Sequence, residues 1–408
     1  MRGVRGVFVL LAAACAGGEE VVEWAGVERD SAGVSIVENP ANDLWREGES
    51  WTAEPTLEIG VAAGDAAYEF GDVRGVALLS GGRIAVLDAQ TAQVRLFGAD
   101  GTALGSFGRQ GSGPGELSRY ADALWSEPAD TLVVVDMGNR AVYRYTADGV
   151  FARAVRMPME GGFTYYWMGD GAGLAYHNAR AFAGQQADSQ ERLEVRAADG
   201  TLVRTVATYP ARESMTGDRS GVRLQLFSPE TRWAIGDSGA VWMGDTHAYR
   251  IWRYDAQGRI DRIVNAPFTA RPVTDADRLF YIDAMVRLWE GRVSPAMRPQ
   301  LRSATTFHST FPVFVSLRGG PDGTLWVQPF RGPDEMPADE RSTLDPERDL
   351  GSPDWHVFDR RGRRLGTVRF PPRFTPYVFA GETILGVARD ADNVQRVIRL
   401  ALRRSVPR

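Results

Sequence analysis

The sequence predicts an all-β protein, a six-bladed β-propeller of four-stranded antiparallel blades. Short apolar runs recur along the 408 residues, and tight glycine-containing turns separate them. The last repeat lacks its fourth strand, while a spare strand stands near the N-terminus. Such a repeat indicates a closed array of similar units, because one unit cannot bury its apolar face alone.

The first repeat defines the unit. It contains four short apolar runs between 73 and 107, and the turn before the fourth run is Asp100-Gly101. Glycine occupies the second place of the corresponding turn in the next four repeats, at Gly149, Gly200, Gly258 and Gly362. Four strands joined by such turns predict one antiparallel blade.

The sixth blade takes its strands from both ends of the chain. Only three apolar runs follow the fifth repeat, and the segment 56–60 reads like the fourth strand of the first blade. We therefore expect an N-terminal strand to complete the last blade and close the ring. Closure leaves no free sheet edge. The propeller is predicted to span 51–408.

The first fifteen residues resemble a bacterial lipoprotein signal. Arg2 and Arg5 precede an apolar stretch, and small residues precede Cys15, the single cysteine. The resemblance implies a signal peptide and lipobox over 1–15, lipid attachment at Cys15, and a tether over 16–50 with an extra strand at 33–37. An ordinary signal peptide cleaved near Ala14 is the alternative. A lipid-anchored product is expected in the periplasm or on the outer membrane.

Charge and cysteine content exclude two classes of site. The formal net charge is 47 − 52 = −5, and no basic run is present. Nucleic-acid binding needs clustered cations, so no nucleic-acid partner is expected. A single cysteine excludes internal disulfides and a cysteine-based metal site. Membrane contact is expected through the N-terminal anchor only.

Two segments carry a resemblance to a known family. Residues 108–117, Gly-Arg-Gln-Gly-Ser-Gly-Pro-Gly-Glu-Leu, resemble the inter-blade signature of NHL-repeat propellers, and 136–142 resembles their second-to-third-strand turn. Residues 30–39 resemble bacterial six-bladed β-propeller lipoproteins of unassigned role. The resemblance covers about 56–402. It implies the fold rather than an activity, because propellers host many unrelated functions.

A helical insertion is predicted over 269–307, between blades 4 and 5. Thr274 suits an N-cap, and acidic residues follow it in the first turn. Apolar residues then recur at helical spacing, at Leu279, Ile282, Val286 and Trp289, with Phe280 and Met285 alongside. The insertion either covers the ring structurally or forms a lid over a ligand site.

An acidic loop is predicted over 331–353 in blade 5. It contains seven carboxylates, which is a composition that calcium favours. The alternating spacing of a compact calcium loop is absent. We therefore expect a solvated mobile loop, with calcium binding as the alternative.

The central channel is the expected place for a binding site. Alignment of the first strands brings five residues near the axis: Arg74, Tyr120, Asp122, Tyr166 and Trp233. A mixture of aromatic and charged groups suits a small polar or peptide ligand. In the alternative interpretation, Arg74 and Asp122 only pair with each other and the aromatic residues pack between blades.

The sequence favours a non-enzymatic binding or scaffold protein of the cell envelope that recognises a protein, peptide or glycan. No catalytic residue and no cofactor is predicted. The alternative is a calcium-dependent lactonase, hydrolase or lyase with its site in the channel. The calcium-dependent lactonases of six-bladed rings, which such an enzyme would resemble, hold the ion with a channel Glu, Asn and Asp. The candidates for these roles are Glu69, Glu116, Asp122 and Asn178, although no motif selects them.

Overall fold

The structure is a computed structural model of the chain. It describes residues 24–46, 48–158, 162–181, 190–211, 215–218, 221–289 and 298–404. The predicted signal peptide and Cys15 lie outside these residues. In the part of the chain that is described, no helix has the length and apolar character needed to cross a membrane.

Six sheets of four antiparallel strands, one of them extended, confirm the predicted six-bladed propeller. The N-terminal strands are β1 (Val27–Ser31), β2 (Val34–Glu38) and β3 (Thr52–Ile59). Blade 1 contains β4 (Val73–Leu78), β5 (Ile84–Asp88), β6 (Gln93–Phe97) and β7 (Ala103–Phe107). Blade 2 contains β8 (Ala121–Glu127), β9 (Thr131–Asp136), β10 (Ala141–Tyr145) and β11 (Phe151–Arg156). Blade 3 contains β12 (Gly162–Gly169), β13 (Ala175–Ala181), β14 (Gln190–Arg196) and β15 (Leu202–Pro210).

The remaining blades follow the same order. Blade 4 contains β18 (Thr231–Ile235), β19 (Val241–Asp245), β20 (Arg250–Tyr254) and β21 (Ile260–Asn265). Blade 5 contains β23 (Phe314–Gly319), β24 (Leu325–Pro329), β25 (Asp354–Phe358) and β26 (Arg364–Arg369). Blade 6 contains β27 (Thr375–Ala380), β28 (Thr383–Arg389) and β29 (Gln395–Arg403), and β3 pairs antiparallel with β29. The predicted closure of the ring by an N-terminal strand is therefore confirmed.

Six hydrophobic clusters fill the six seams between neighbouring blades. The second strand of each blade supplies much of this core; every residue of β5, for example, is buried. The turn glycines that define the repeat all have φ between 78° and 90°, a conformation that costs residues with a Cβ more than it costs glycine. Gly362 also needs its missing Cβ, because that atom would lie 2.3 Å from Val264 Cγ2.

Much of the segment expected to be a tether, 16–50, docks on the ring. Strand β2 falls in the part predicted to hold an extra strand, and it pairs in parallel with β21 at the outer edge of blade 4. Asn39 then donates hydrogen bonds to the carbonyl oxygens of Asn265 (3.0 Å) and Gly362 (2.9 Å). The Trp45 amide donates to Leu365 O of blade 5 at 2.7 Å. Because β2 pairs with β21 along its backbone and Val37 is buried, this part of the segment is not a free tether.

A cap packs beside the starts of the first strands. We use this name for 215–218, 221–230, 266–289, 298–313 and 331–353. Its elements are β16 (Met215–Asp218), β17 (Gly221–Leu226), α1 (Asp275–Leu288), α2 (Arg298–Ala304), β22 (Thr305–Phe307) and α3 (Ala338–Ser342). A separate hydrophobic cluster around Phe227, Tyr281 and Phe330 holds the cap together.

Helix α1 begins as predicted, and its predicted apolar face is buried in part. Thr274 Oγ1 accepts a hydrogen bond from Asp277 N at 3.2 Å, and the Asp277 carboxylate accepts one from Thr274 N at 2.9 Å, which is a complete capping box. Of the residues predicted to form the apolar face, Leu279 is 63% exposed, Ile282, Val286 and Trp289 are partly buried, and Met285 is buried. Tyr281, which was not among the predicted residues, is fully buried, and its ring packs against Phe227.

Candidate functional site

In five of the six blades, the pairing of the first strand with the second contains a β-bulge or irregularity. The pairing of β18 with β19 in blade 4 runs without one. The residues at the irregularities are Arg74, Asp122, Tyr166 with Trp167, Val315 and Tyr377. A bulge bends its strand and re-aims a side chain, and bulges are enriched beside binding and active sites.

Apart from Val315, the residues at these irregularities line a cavity of about 280 Å³ in the channel. Its lining includes Arg74, Asp122, Tyr166, Arg318 and Tyr377. A second cavity of about 360 Å³ shares Arg318 and Tyr377 and extends to the first-to-second-strand turns. The two cavities adjoin along the channel. We call the first one the channel-mouth site.

Tyr166 is held in a strained conformation at this site. Its φ is 54°, which is unusual for a bulky aromatic residue. Burial would raise the pKa of Tyr166, but the guanidinium groups of Arg318 and Arg232 outweigh it and hold the pKa below its usual value of 10. Tyr166 therefore combines a strained backbone with a positive potential at its hydroxyl.

Arg318 is bonded only to uncharged groups in the part of the chain that the structure describes. Its Nε donates to Pro376 O at 3.2 Å. Its Nη1 donates to Leu317 O at 2.8 Å, to Ser316 Oγ at 3.1 Å and to the Tyr166 hydroxyl at 3.3 Å. These bonds fix the guanidinium beside the cavity and leave its charge unpaired.

On the opposite wall of the cavity, arginine and aspartate side chains form a network of ion pairs. Arg74 lies 2.9 Å from the Asp72 carboxylate and 3.6 Å from that of Asp122. Arg348, from the cap, lies 3.6 Å from Asp72. Burial raises the pKa of Asp122 despite the opposing effect of Arg74. Burial also raises the pKa of Tyr377, against the opposing effects of Arg318 and Arg74.

The acidic loop 331–353 is a docked strap, so the expectation of a solvated mobile loop is wrong. Asp349 is 5% exposed and pairs with Arg389 and, at 3.7 Å, with Arg373 of blade 6. Arg373 also donates to Glu340 O at 3.1 Å. The strap therefore spans from blade 5 across blade 6, and Arg348 extends it to blade 1.

Three of the five residues predicted for the channel lie at the channel-mouth site: Arg74, Asp122 and Tyr166. Trp233 does not, because it is fully buried in the seam between blades 3 and 4. Its Nε1 donates to Asn178 Oδ1 at 2.7 Å. Tyr120 precedes β8 and is 72% exposed outside both cavities. The absence of a bulge in blade 4 shifts Trp233 out of the register on which the prediction relied.

Arg318 and Tyr377 are the site residues that sequence reasoning missed. Arg318 interrupts the apolar residues at the end of β23, and Tyr377 lies in a first strand that the alignment left out. A charged residue among the apolar residues of a first strand was the available signal. Such a residue is expensive to place there without a role.

The four candidate calcium ligands are not brought together. Glu69 accepts from Gly64 N at 2.7 Å, and Glu116 pairs with Arg109 at 2.7 Å in an inter-blade loop. Asn178 is buried and accepts hydrogen bonds from Trp233 and Tyr209. Only Asp122 faces the channel-mouth site. Among the described residues, no three His, Cys, Asp or Glu side chains form a group able to hold a metal ion.

Comparison with known proteins supports the fold. The model of a family described as "6-bladed beta-propeller" (DUF5128) matches residues 66–217, which is less than half of the chain. No curated protein matches. A member of the duf4221 family from Bacteroides vulgatus superposes with a TM-score of 0.53 at 9% identity, covering 88% of this chain and 99% of that one.

Two further solved structures are more distant. Virginiamycin B lyase from Staphylococcus aureus gives a TM-score of 0.41 at 12% identity, covering 86% of this chain and 100% of that one. The calcium-binding protein regucalcin from Agrobacterium tumefaciens gives 0.42 at 8% identity, covering 87% and 97%. At these identities likeness concerns the fold alone.

Proposed function

We propose that the protein is an envelope-anchored binding propeller that holds part of a protein, peptide or glycan ligand at the channel-mouth site. The observation that carries the proposal is the set of bulges that turn charged and aromatic side chains toward one cavity. A concave site with a few convergent polar groups and aromatic walls is typical of ligand binding.

Local strain supports a binding role for this end of the channel. The left-handed backbone of Tyr166 costs free energy, on the order of 1–3 kcal/mol for such outliers. A bulge also removes ladder pairing. Strained conformations cluster at ligand sites, because the surrounding structure holds the side chain where a ligand needs it.

The N-terminal segment supports an anchored protein with an open site. In the extended sheet of blade 4, β1 is the outermost strand and β18 is the innermost, so β1 lies at the far edge from the channel. A lipid at Cys15 would be connected through this outer edge. Anchoring therefore leaves the channel-mouth site free to bind.

Site-directed photo-crosslinking in cells that express the full chain tests the binding site. A photoreactive amino acid replaces Tyr377, which lines the cavity and is 36% exposed. The matched control replaces Leu104, which is 56% exposed on the outer strand β7. We expect a discrete crosslinked product from position 377 and none from position 104. Equal products from both positions, or none from 377, would contradict the proposal.

Membrane fractionation tests the anchor separately. We expect the wild-type chain in the membrane fraction and the Cys15→Ser variant in the soluble periplasmic fraction. The variant should retain the crosslink at position 377, because binding and anchoring use different parts of the chain. Recovery of both proteins in the same fraction would contradict the anchor and leave the binding site standing.

A further inference from the structure

Arg318 is the cation at the channel-mouth site whose charge no described carboxylate neutralises. Its Nε and Nη1 donate to two carbonyl oxygens and two hydroxyls. No carboxylate of the described residues lies within 4.0 Å of its nitrogen atoms, and Nη2 makes no hydrogen bond with these residues. A half-buried guanidinium with two free N–H groups is an incomplete arrangement, because buried charges are ordinarily paired.

The neighbouring charges balance one another. Arg74 and Arg348 face Asp72 and Asp122. Arg348 also lies 4.0 Å from Asp345, and Asp345 and Asp349 together pair with Arg373 and Arg389. This network contains four positive and four negative charges. Arg232 pairs with Glu230. The channel-mouth site therefore carries one excess positive charge, and it belongs to Arg318.

We propose that Arg318 binds the carboxylate of a uronic-acid sugar at the channel-mouth site. This inference rests on the proposed binding function and names the chemistry of its ligand. One carboxylate supplies the single negative charge that the site lacks. Its oxygens accept from the free N–H groups of Nη2, which is a charge-assisted hydrogen bond. A phosphate dianion would overcompensate the charge.

The walls around Arg318 favour a sugar. The cavity is about 280 Å³, and aromatic rings of Tyr166 and Tyr377 line it. The C–H face of a sugar ring packs well on such rings, whose hydroxyls remain available for hydrogen bonds. Arg74 and Asp122 offer a donor and an acceptor for ring hydroxyls on the opposite wall. Together these groups match a ring that carries hydroxyls and one carboxylate.

The potential at Tyr166 agrees with this assignment. Burial alone would raise the pKa of its hydroxyl, yet Arg318 and Arg232 hold that pKa below 10. Since Glu230 compensates Arg232, the potential at the Tyr166 hydroxyl comes mainly from Arg318. A ligand carboxylate placed there experiences the same attraction.

Calorimetric titration of the purified chain tests the inference. The probes are trigalacturonate, its methyl ester, a tripeptide with a free C-terminus and the same tripeptide amidated. We expect trigalacturonate to bind and its ester to bind at least about tenfold more weakly, since a hydrogen bond to a charged group contributes about 1.5–3 kcal/mol. Arg318→Met should weaken trigalacturonate binding by the same factor, and Arg318→Lys should restore part of it.

Arg361→Met is the matched control, because it removes one exposed arginine from the same blade outside both channel cavities. It should leave the affinity unchanged. Circular dichroism and melting curves of each variant separate lost binding from lost folding.

The outcomes distinguish this inference from the proposed function. Equal affinity for the acid and its ester overturns the carboxylate assignment, while weaker binding by Tyr377→Ala would keep the channel-mouth site. Binding of the free tripeptide without trigalacturonate overturns the sugar assignment. Failure of every probe overturns it as well, although a persisting crosslink at position 377 would preserve the site. Binding that ignores both Arg318→Met and Tyr377→Ala overturns the inference and the proposed function together.

Discussion

Arg318 Nη1 lies 3.3 Å from the Tyr166 hydroxyl, and this contact joins blade 5 to blade 3 across the channel. The two blades are not neighbours in the ring, because blade 4 separates them. The bulge and the left-handed backbone at Tyr166 bring its side chain within reach. This contact therefore links two blades that share no seam, so a change in either blade alters the geometry of the channel-mouth site.

Replacement of Arg318 should raise the pKa of Tyr166. Burial raises this pKa and Arg318 lowers it. Arg318→Met removes the larger of the two lowering charges, so the pKa should rise. Alkaline titration of tyrosinate absorbance measures the change, with Tyr166→Phe identifying the contribution of this residue. Arg361→Met should give the wild-type curve. Because the folded pKa is lowered, the stabilising contribution of ionised Tyr166 is complete above the unfolded pKa of about 10 and is lost as the pH falls through the folded pKa. An unchanged Tyr166 titration in Arg318→Met would contradict the electrostatic account.

Acid should destabilise the fold through His177. Burial lowers the pKa of His177 to about 4, and the described geometry fits a neutral ring that accepts from Arg196 Nε at 3.0 Å. In the unfolded state His177 takes up a proton near pH 6.5, whereas in the folded state it stays neutral down to about pH 4. The contribution of neutral His177 to the free energy of unfolding is therefore complete above pH 6.5 and falls as the pH approaches 4. The loss reaches about 3 kcal/mol.

Urea unfolding between pH 7.5 and 4.5 measures this loss. His177→Gln should be less stable than wild type at pH 7.5 and should lose less stability on acidification. Carboxylates other than Glu194, which lies 3.8 Å from His177, titrate equally in both proteins, so the difference in slope reports His177 and its interaction with Glu194. Parallel stability curves for the two proteins between pH 7.5 and 5 would show that His177 is not responsible.

Asn178 should behave as a structural acceptor. Its Oδ1 accepts from Trp233 Nε1 at 2.7 Å and from the Tyr209 hydroxyl at 2.9 Å, and all three side chains are buried. Asn178→Leu leaves two buried donors without their acceptor, and we expect a loss of about 2–5 kcal/mol in the free energy of unfolding. Tyr120→Ala should change it by about 0.5 kcal/mol or less, since that side chain is largely exposed.

Denaturant unfolding of both variants, with and without calcium, provides the measurement. A calcium-dependent rise in wild-type stability that Asn178→Leu abolishes would instead support a metal-binding role. A small effect of Asn178→Leu would show that the buried donors find other acceptors.

Ring closure should depend on β3 far more than on the strands before it. A chain that starts at Gly48 loses β1 and β2 but keeps the full pairing of β3 with β29. We expect it to be monomeric and less stable. A chain that starts at Val61 exposes the edge of β29, and we expect it to aggregate. Size-exclusion chromatography and melting curves distinguish the two, and similar behaviour of both chains would contradict the closure argument.

The blades were predictable because repetition makes their signal redundant. The turn glycines Gly101 and Gly362 mark equivalent positions in different blades, so one ambiguous strand is corrected by the others. The closure by β3 followed from counting strands. Each of these inferences uses local pattern, which a single sequence contains.

The channel was harder to predict, because one inserted residue changes the direction of every side chain beyond it. Asp122 and Tyr166 lie at bulges and reach the cavity, whereas blade 4 lacks a bulge and Trp233 turns into a seam. The acidic strap was misjudged for a different reason. Its partner arginines, Arg373 and Arg389, lie in another blade, and composition does not reveal which charges meet.

The N-terminal segment runs along the outer edges of three consecutive blades. It pairs with β21 of blade 4, contacts Leu365 of blade 5 through Trp45, and becomes β3 of blade 6. A pull on an N-terminal lipid would therefore load β2 in shear against β21 before any force reached β3. Strands sheared along their length share the load among many hydrogen bonds, so a lipid attached at this end would not peel the ring open.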